Sequence, residues 1–313
     1  MSVLAAMADL ESGRYDCALV VGVEQMRTKA TFESQQALGA AAWVPRETDG
    51  VDYPWPQLFS DLGDEYERRF GLDPAHLVEL QRMCFENARR NPNAQTRGWT
   101  FGERAFDADD EENPVVAGRI RRQDCSQVTD GAAAVVLASE DFCKRAGIPA
   151  AGLPRIAGWG HRTARMALAD KLAGGNGSPF VFPQVRGAIT DAFERAAVDG
   201  VGEIDAIETH DCFSTTHYMA IDHFGLTPPG ESWRAIEDGI VAFDGKCPIN
   251  ASGGLTGCGH PVGATGVRML ADSAKQVSGT AGDYQVPEAD RVATLNIGGS
   301  ATTTVCFVVE RPE

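Results

Sequence analysis

The spacing of apolar residues near the start of the chain changes from helical to strand-like. Apolar side chains at positions 3, 4, 7 and 10 share one helical face, which predicts a helix over 2–10, and the apolar run at 17–23 predicts a fully buried strand. In an α/β sheet such a helix normally connects two parallel strands. The helix-first order therefore predicts an incomplete first half of the fold, unless Ser2 simply caps a native first helix.

The stretch from 27 to 124 has a different character. It contains three tryptophans and several prolines, and Asp73 followed by Pro74 is typical of the start of a helix. The acidic run at 107–112 is typical of an exposed loop. We therefore interpret 27–124 as an insertion on the main fold.

Strands and helices alternate again after Thr129. The predicted elements are a strand at 132–137, a strand at 155–159, a helix at 182–198, a strand at 206–209, a helix at 214–224, and a hairpin-like pair of strands at 293–296 and 302–309. This alternation predicts a layered α/β fold with a largely parallel sheet.

Composition narrows the function classes. The 313 residues are 43% hydrophobic, and 28 basic against 44 acidic residues give a formal charge of -16, which disfavours nucleic acid and anionic membranes as partners. No apolar run approaches the roughly 20 residues needed to span a bilayer, and the start lacks the layout of a secretory signal, so we expect a cytoplasmic protein. The eight cysteines include no CxxC pair, which predicts neither a metal site nor a disulfide framework.

The densest signal for chemistry is the glycine-rich segment from Asn250 to Gly266, which contains a single histidine, His260. Glycines at this density let the backbone approach a ligand closely, and Ser252 and Gly253 are our candidate substrate-binding residues within it. A histidine just ahead of a helix can act as a general base or donate to a developing oxyanion. A turn whose histidine only bonds the backbone is the alternative, but the whole pattern favours a functional loop.

A second motif, His210-Asp-Cys-Phe213, lies between the predicted strand at 206–209 and the predicted helix at 214–224. The carboxyl ends of strands are where open α/β sheets build their sites. A cysteine at a helix amino terminus beside a histidine gains thiolate character from both, so Cys212 is predicted to be acidified. A buried cysteine and a helix-capping histidine are the structural alternative.

Two further motifs are less specific. The small residues from Asn296 to Ser300 lie between two apolar strand segments and would expose backbone N–H groups at a tight turn. The segment 124–134 joins polar loop residues to a buried strand, although an ordinary loop-to-strand junction has the same pattern.

With these four motifs in this order, the chain resembles a thiolase, and among thiolases it is most similar to the sterol-carrier-protein type. The resemblance rests on Gly-His-Pro at 259–261, on the 210–213 and 126–134 motifs and on the Asn-Ile-Gly-Gly turn, and it covers Val3 to Glu310. It implies an α/β, thiolase-like layered α-β-α-β-α fold with an inserted loop domain and an incomplete first half. The implied division is 1–26 as a remnant of the amino-terminal half, 27–124 as the inserted loop domain, 125–150 as the end of the amino-terminal half and 151–313 as the carboxyl-terminal half.

The resemblance also implies roles for individual residues. His260 would stabilise the thioester or enolate oxygen and assist activation of the nucleophile, while His210 stands where most thiolases have an Asn that holds a water in the same oxyanion hole. Asn296 stands where many thiolases have their acid/base cysteine, so Cys212 becomes the acid/base candidate. Asn296 itself is counted with the substrate-binding residues. The Gly298 amide would contribute to a second oxyanion hole, and Ser126 would contact the pantetheine arm. Coenzyme A is then a substrate, with acyl-CoA and CoA as ligands and no tightly bound cofactor.

The nucleophilic cysteine of the family should lie just before Met1, and the sequence does not contain it. The start was assigned at an internal Met, or the chain is a shortened paralogue that keeps the acyl-CoA cleft; the retained Cys212 and His260 favour the first explanation. Because an acyl-enzyme needs an activated nucleophile, we expect an acyl-CoA C-acyltransferase acting on 3-oxoacyl-CoA or acetyl-CoA that is inactive in this form.

Two other functions remain open. One is a thiolase-like retro-aldol lyase that acts on steroid or other acyl-CoA thioesters with a small OB-fold partner and needs no nucleophilic cysteine. The other is a non-catalytic acyl-CoA-binding subunit. The resemblance further implies a homodimer or homotetramer.

Overall fold

The computed structural model describes residues 1–311, in which helices and strands alternate along most of the chain. The helices are α1 (Ser2–Glu11), α2 (Thr31–Gly39), α3 (Pro54–Phe70), α4 (Pro74–Arg90), α5 (Glu140–Ala146), α6 (Leu168–Gly174), α7 (Pro183–Arg195), α8 (Ser214–Phe224), α9 (Ser232–Glu237), α10 (Gly254–Cys258) and α11 (Thr265–Val277). The strands are β1 (Cys17–Glu24), β2 (Val115–Ala117), β3 (Ile120–Arg121), β4 (Gly131–Ala138), β5 (Arg155–Thr163), β6 (Ala206–Thr209), β7 (Arg291–Gly298) and β8 (Thr303–Glu310).

The larger sheet has four strands in the order β5-β8-β7-β6. Only the β6–β7 pairing in this sheet is parallel. Strand β8 is antiparallel to β7, to which a tight hairpin joins it, and also to β5. The smaller β1–β4 pair is also antiparallel. The sequence-based prediction of a largely parallel sheet is therefore wrong for the described residues, whereas the predicted hairpin is confirmed.

The elements stack in layers, as predicted. Helix α7 packs against β5 and β8, and α11 packs both against β7 and β8 and against the β1–β4 pair. Helix α11 therefore lies between the two sheets, and Val20 of β1, Val267 of α11 and Phe307 of β8 share one apolar core. This arrangement confirms a layered α/β architecture.

Strand β1 is not buried on both faces, contrary to the prediction for 17–23. Val20 is 5% exposed, but Leu19, Val21 and Val23 are 66%, 56% and 67% exposed. Side chains alternate across a strand, and within residues 1–311 only one face of β1 packs against a helix. A run of apolar residues cannot by itself reveal which face is covered.

The segment from 27 to 124 contributes long helices to the core. The Asp73 side chain accepts a hydrogen bond from the Ala75 amide at 2.9 Å, which confirms the predicted start of α4. Helices α3 and α4 both pack against α8, whose eleven residues are all buried. This segment thereby covers the helix that follows the His210–Phe213 motif. In the described part of the chain, no helix is both long and apolar enough to cross a membrane.

Candidate active site

Backbone hydrogen bonds bring three of the four sequence motifs together. The Ser126 amide donates to the Cys212 carbonyl at 2.9 Å, and the His260 amide donates to the Gln127 carbonyl at 2.8 Å. Bridge pairings join Cys125 to Phe213 and Val128 to His260. The loop at 125–129 thus lies between the other two loops and fixes their separation.

His260 is buried and held by one side-chain hydrogen bond. Its Nδ1 lies 2.7 Å from the Thr265 hydroxyl, which also lies 3.0 Å from the Pro261 carbonyl. The hydroxyl has one proton. When that proton goes to Pro261, His260 carries its own proton on Nδ1 and presents a basic Nε2; when it goes to Nδ1, Nε2 carries the proton and can donate to an oxyanion. The same contact therefore permits both predicted roles.

The two site histidines are held neutral. Burial, His210 and Arg268 together lower the pKa of His260 well below its ordinary value, and burial lowers the pKa of His210 to about 4. Their rings lie edge to face, with centroids 5.1 Å apart. The Nδ1 atom of His210 is buried and has no hydrogen-bond partner within residues 1–311. Neutral imidazoles at this distance avoid the repulsion that two cations would suffer.

Cys212 is a thiol and not a thiolate, contrary to the prediction from its position. The residue is 7% exposed, and burial raises the pKa of its thiol well above the ordinary value, with Asp211 adding to the increase. The hydrogen bond with Thr216, 3.8 Å away, only partly offsets the effect of burial. Loss of solvation outweighs the helix terminus and the neighbouring neutral histidine.

Asp211, between the two candidate residues, holds the glycine-rich loop in place. It is fully buried and accepts hydrogen bonds from the amides of Leu255 at 2.6 Å and Thr256 at 3.2 Å. These amides lie in the first turn of α10, where a carboxylate is stabilised by unpaired N–H groups. Sequence reasoning missed this role, although a carboxylate inside the motif was a visible signal.

The glycines of the loop permit close packing within the protein. A Cβ on Gly253, whose φ is +101°, would lie 2.8 Å from Ala88 Cα, and a Cβ on Gly257 would lie 2.5 Å from the Cys84 carbonyl oxygen. Both contacts press the loop against α4. Gly263 and Gly266 of the same loop line the cavity described next.

A cavity of about 770 Å³ opens where the motifs meet. Six of the eight sequence-predicted residues line it, namely Ser126, His210, Cys212, His260, Asn296 and Gly298. Ser252 and Gly253 lie behind it: the Ser252 hydroxyl donates to Glu208 at 2.6 Å and accepts from Arg268 at 3.0 Å. These two residues thus support the loop from within the protein.

The cavity also has walls that the motifs did not reveal. Trp55 and Phe59 of α3 line it, and the Phe59 ring stacks on Phe213 with centroids 4.9 Å apart. The amino end of α1 lines it too, through Met1, Ser2 and Val3. Helices α3 and α1 therefore complete an apolar chamber around the polar groups.

One buried group of potential metal ligands lies beside the site. Single ligand atoms of Cys84, Asp211 and His217 all fall within 4.8 Å of one another. Cys84 Sγ lies 3.4 Å from Asp211 Oδ2 and 3.7 Å from His217 Nδ1, and both Asp211 oxygens already accept amide hydrogen bonds. Mutual hydrogen bonding accounts for this cluster as part of the core.

Comparison with known proteins identifies the class. Residues 171–311 match the family model described as thiolase C-terminal domain-like. The chain is 30% identical to an acetyl-CoA acetyltransferase of Methanothermobacter thermautotrophicus over 99% of its own length and 77% of that protein. It is 29% identical to rabbit (Oryctolagus cuniculus) sterol carrier protein 2, covering 95% of this chain and 54% of the relative. The chain thus spans about half the length of that sterol carrier protein.

The fold is also found among solved structures. A solved structure titled Ltp2-ChsH2(DUF35) aldolase superposes with a TM-score of 0.78 at 17% identity, covering 99% of this chain and 76% of that one. The chain belongs to the thiolase family. Within that family it is a protein of the sterol-carrier-protein type.

Proposed function

We propose that the protein is an acyl-CoA C-acyltransferase of the thiolase type, acting on 3-oxoacyl-CoA or acetyl-CoA. The observation that carries the proposal is the meeting of His210, Cys212 and His260 at one cavity. A proton donor, a proton acceptor and hydrogen-bond donors for an enolate oxygen are the groups that cleavage of a 3-oxoacyl thioester requires. The apolar chamber suits the acyl chain, and Ser126 at its wall suits contact with pantetheine.

The nucleophile would enter this cavity at the amino end of α1. The family resemblance puts its cysteine directly before Met1, and Met1, Ser2 and Val3 line the cavity. A cysteine joined there would approach the polar groups of the site and gain from the helix amino terminus. We accordingly propose that a chain beginning at Met1 binds acyl-CoA but does not form an acyl-enzyme.

The remaining steps follow from the protonation states. With Nε2 unprotonated, His260 accepts the proton of the nucleophile; with Nε2 protonated, it donates to the thioester or enolate oxygen. Burial keeps the proton on Cys212, so this thiol serves first as the acid that protonates the leaving enolate. The resulting thiolate then takes the proton of the incoming CoA. The Gly298 amide would bind the oxygen of the acyl group.

Thiolysis by the native protein from its source tests the proposal. A 3-oxoacyl-CoA and CoA are supplied, the shortened acyl-CoA is quantified, and intact mass spectrometry is used to search for an acyl group on a cysteine. We expect product and adduct from the native protein, and binding alone from the chain beginning at Met1. Absence of both product and adduct from the native protein would overturn the proposal.

Substitution of Cys212 separates chemistry from binding. We expect Cys212→Ala to abolish C–C cleavage while acyl-CoA binding changes less than threefold. Cys17→Ala is the matched control, because Cys17 is exposed and lies outside the cavity. Unchanged cleavage by Cys212→Ala would remove Cys212 from the mechanism.

A retro-aldol lyase is the second candidate. It is favoured by the observation that His210, Cys212 and His260 line one cavity within residues 1–311, since retro-aldol cleavage needs an acid, a base and oxyanion donors but no nucleophilic cysteine. Retro-aldol cleavage removes the proton of a 3-hydroxyl, breaks C2–C3 and protonates the resulting enolate, without a covalent intermediate. Cleavage of a 3-hydroxyacyl-CoA but not of a 3-oxoacyl-CoA, by the protein alone or together with a copurifying small OB-fold partner, would select this function. Binding without either cleavage would select a non-catalytic acyl-CoA-binding subunit.

A further inference from the structure

Lys171 of α6 is buried next to the site but takes no part in the chemistry proposed above. The residue is 3% exposed. Its Nζ donates to the Met166 carbonyl at 2.8 Å, to the Ser300 hydroxyl at 2.7 Å and to the Thr302 hydroxyl at 2.9 Å. All three protons of the ammonium group are therefore used within the protein.

Two of these acceptors belong to the turn between β7 and β8. Gly299 and Ala301 in this turn have φ values of +61° and +62°, in the left-handed region that is unfavourable for alanine. Gly298 and Gly299 line the cavity, whereas Lys171 does not. Lys171 thus holds the turn without lining the cavity and opposes the relaxation of its strained backbone.

The charge of Lys171 is unusual for a residue whose only role would be to hold a turn in place. Within residues 1–311 no carboxylate lies within 4.0 Å of its Nζ. Glu47 acts on it from a greater distance, with carboxylate oxygens that already accept the amides of Leu168 at 2.5 Å and Trp43 at 3.1 Å. Burial lowers the pKa of Lys171 to about 8. A buried cation without a paired anion is costly, and a neutral donor would hold the turn without that cost.

We infer that Lys171 is a positioning residue of the active site, which shapes the Gly298–Gly299 turn and favours negative charge on an oxygen bound there. The cation is hydrogen-bonded to the turn whose Gly298 and Gly299 line the cavity, so its field favours negative charge on an oxygen bound at that turn. The identity of the anion, a thioester or enolate oxygen, rests on the proposed function. The hydrogen bonds that hold the turn do not depend on the proposed function.

Two substitutions separate the hydrogen bonds that Lys171 makes to the turn from the effect of its charge. Lys171→Met removes the donors and the charge at similar length, and Lys171→Gln keeps a donor without charge. Lys144→Met, at an exposed position on α5, is the matched control. We expect hydrogen–deuterium exchange at 298–302 to rise at least tenfold in Lys171→Met, less in Lys171→Gln, and not at all in the control.

Turnover by the native protein provides the second readout. We expect both Lys171 variants to lower kcat about a hundredfold with less than a threefold change in KM, because the charge acts on the developing anion and not on the bound ground state. If Lys171→Met does not fold, the kcat of Lys171→Gln still tests the charge, and its hydrogen–deuterium exchange at 298–302, expected to exceed that of the wild type, tests the hydrogen bonds.

The outcomes are distinct. Unchanged exchange at the turn would overturn the inference whatever the activity. Faster exchange with unchanged kcat would show that Lys171 only holds the turn, and would overturn the proposed effect of its charge. If the native protein neither binds nor cleaves acyl-CoA, the proposed function fails and the role of the charge fails with it, while the exchange data alone decide whether Lys171 holds the turn.

Discussion

His260 depends on a single hydroxyl for its orientation. Thr265→Val removes that hydroxyl and keeps the shape of the side chain. We expect turnover to fall about tenfold or more, since the ring loses its Nδ1 partner and a buried polar atom is left unsatisfied. Thr190→Val is the control, because Thr190 also bonds a carbonyl four residues earlier, at 3.1 Å, but touches no site histidine. Equal effects of the two substitutions would argue against a fixed ring.

His210 makes the stability of the fold depend on pH. Its pKa falls from 6.5 to about 4 on folding, so between these values the unfolded chain binds a proton that the folded protein does not. The free energy of unfolding therefore falls as the pH drops through this window, by up to about 1.4 kcal/mol per pH unit.

Glu208 acts in the opposite direction. Burial raises its pKa to about 7, so its contribution to stability is present at low pH and is lost as the pH rises through 7.

Comparison of the wild type with His210→Asn isolates the contribution of the histidine to the pH dependence of stability. We expect urea unfolding at pH 4.5, 5.5 and 6.5 to show a flatter pH dependence for the variant, and parallel curves would contradict the assignment.

At the scale of elements, one carboxylate joins the His210–Phe213 motif to α10. We expect Asp211→Asn to lower the free energy of unfolding by about 3 kcal/mol, because it removes a buried charged acceptor and leaves amide donors facing each other. Urea denaturation measures the loss. Asp191→Asn is the control: its partner Arg162 is exposed, and a loss below about 1 kcal/mol is expected.

The accuracy of the sequence-based predictions depended on how local each signal is. Helix α8 begins and ends where predicted. The residue that ends it, Gly225 with a φ of +89°, is a glycine and is therefore visible in the sequence at that position. The direction of strands, the exposed face of β1 and the protonation of Cys212 were mispredicted because each depends on what other segments place nearby. The stacking of Phe59 on Phe213 likewise joins residues far apart in sequence, which periodicity cannot reveal.

At the scale of the whole molecule, the exposed face of β1 is the feature with the clearest consequence. Leu19, Val21 and Val23 lie side by side on a strand that pairs only with β4 in residues 1–311. Contiguous apolar surface of this kind favours association. We expect replacement of all three by Thr, which keeps strand propensity, to lower the weight-average mass in sedimentation experiments.

Val20→Thr is the control for this experiment, because Val20 faces the core. It should lower stability without reducing association. An unchanged mass of the triple variant, together with unchanged stability, would show that the face does not drive assembly. The predicted homodimer or homotetramer would then have to form through another surface.

The amino end of α1 has a practical consequence. In a chain that begins at Met1, burial lowers the pKa of the Met1 amine, so at neutral pH an amine-selective dye reacts there before it reacts with exposed lysines. Because Met1 lines the cavity, the attached dye would stand at its wall and its emission would change when a ligand displaces it. Affinity tags, for the same reason, belong at the opposite end of the chain.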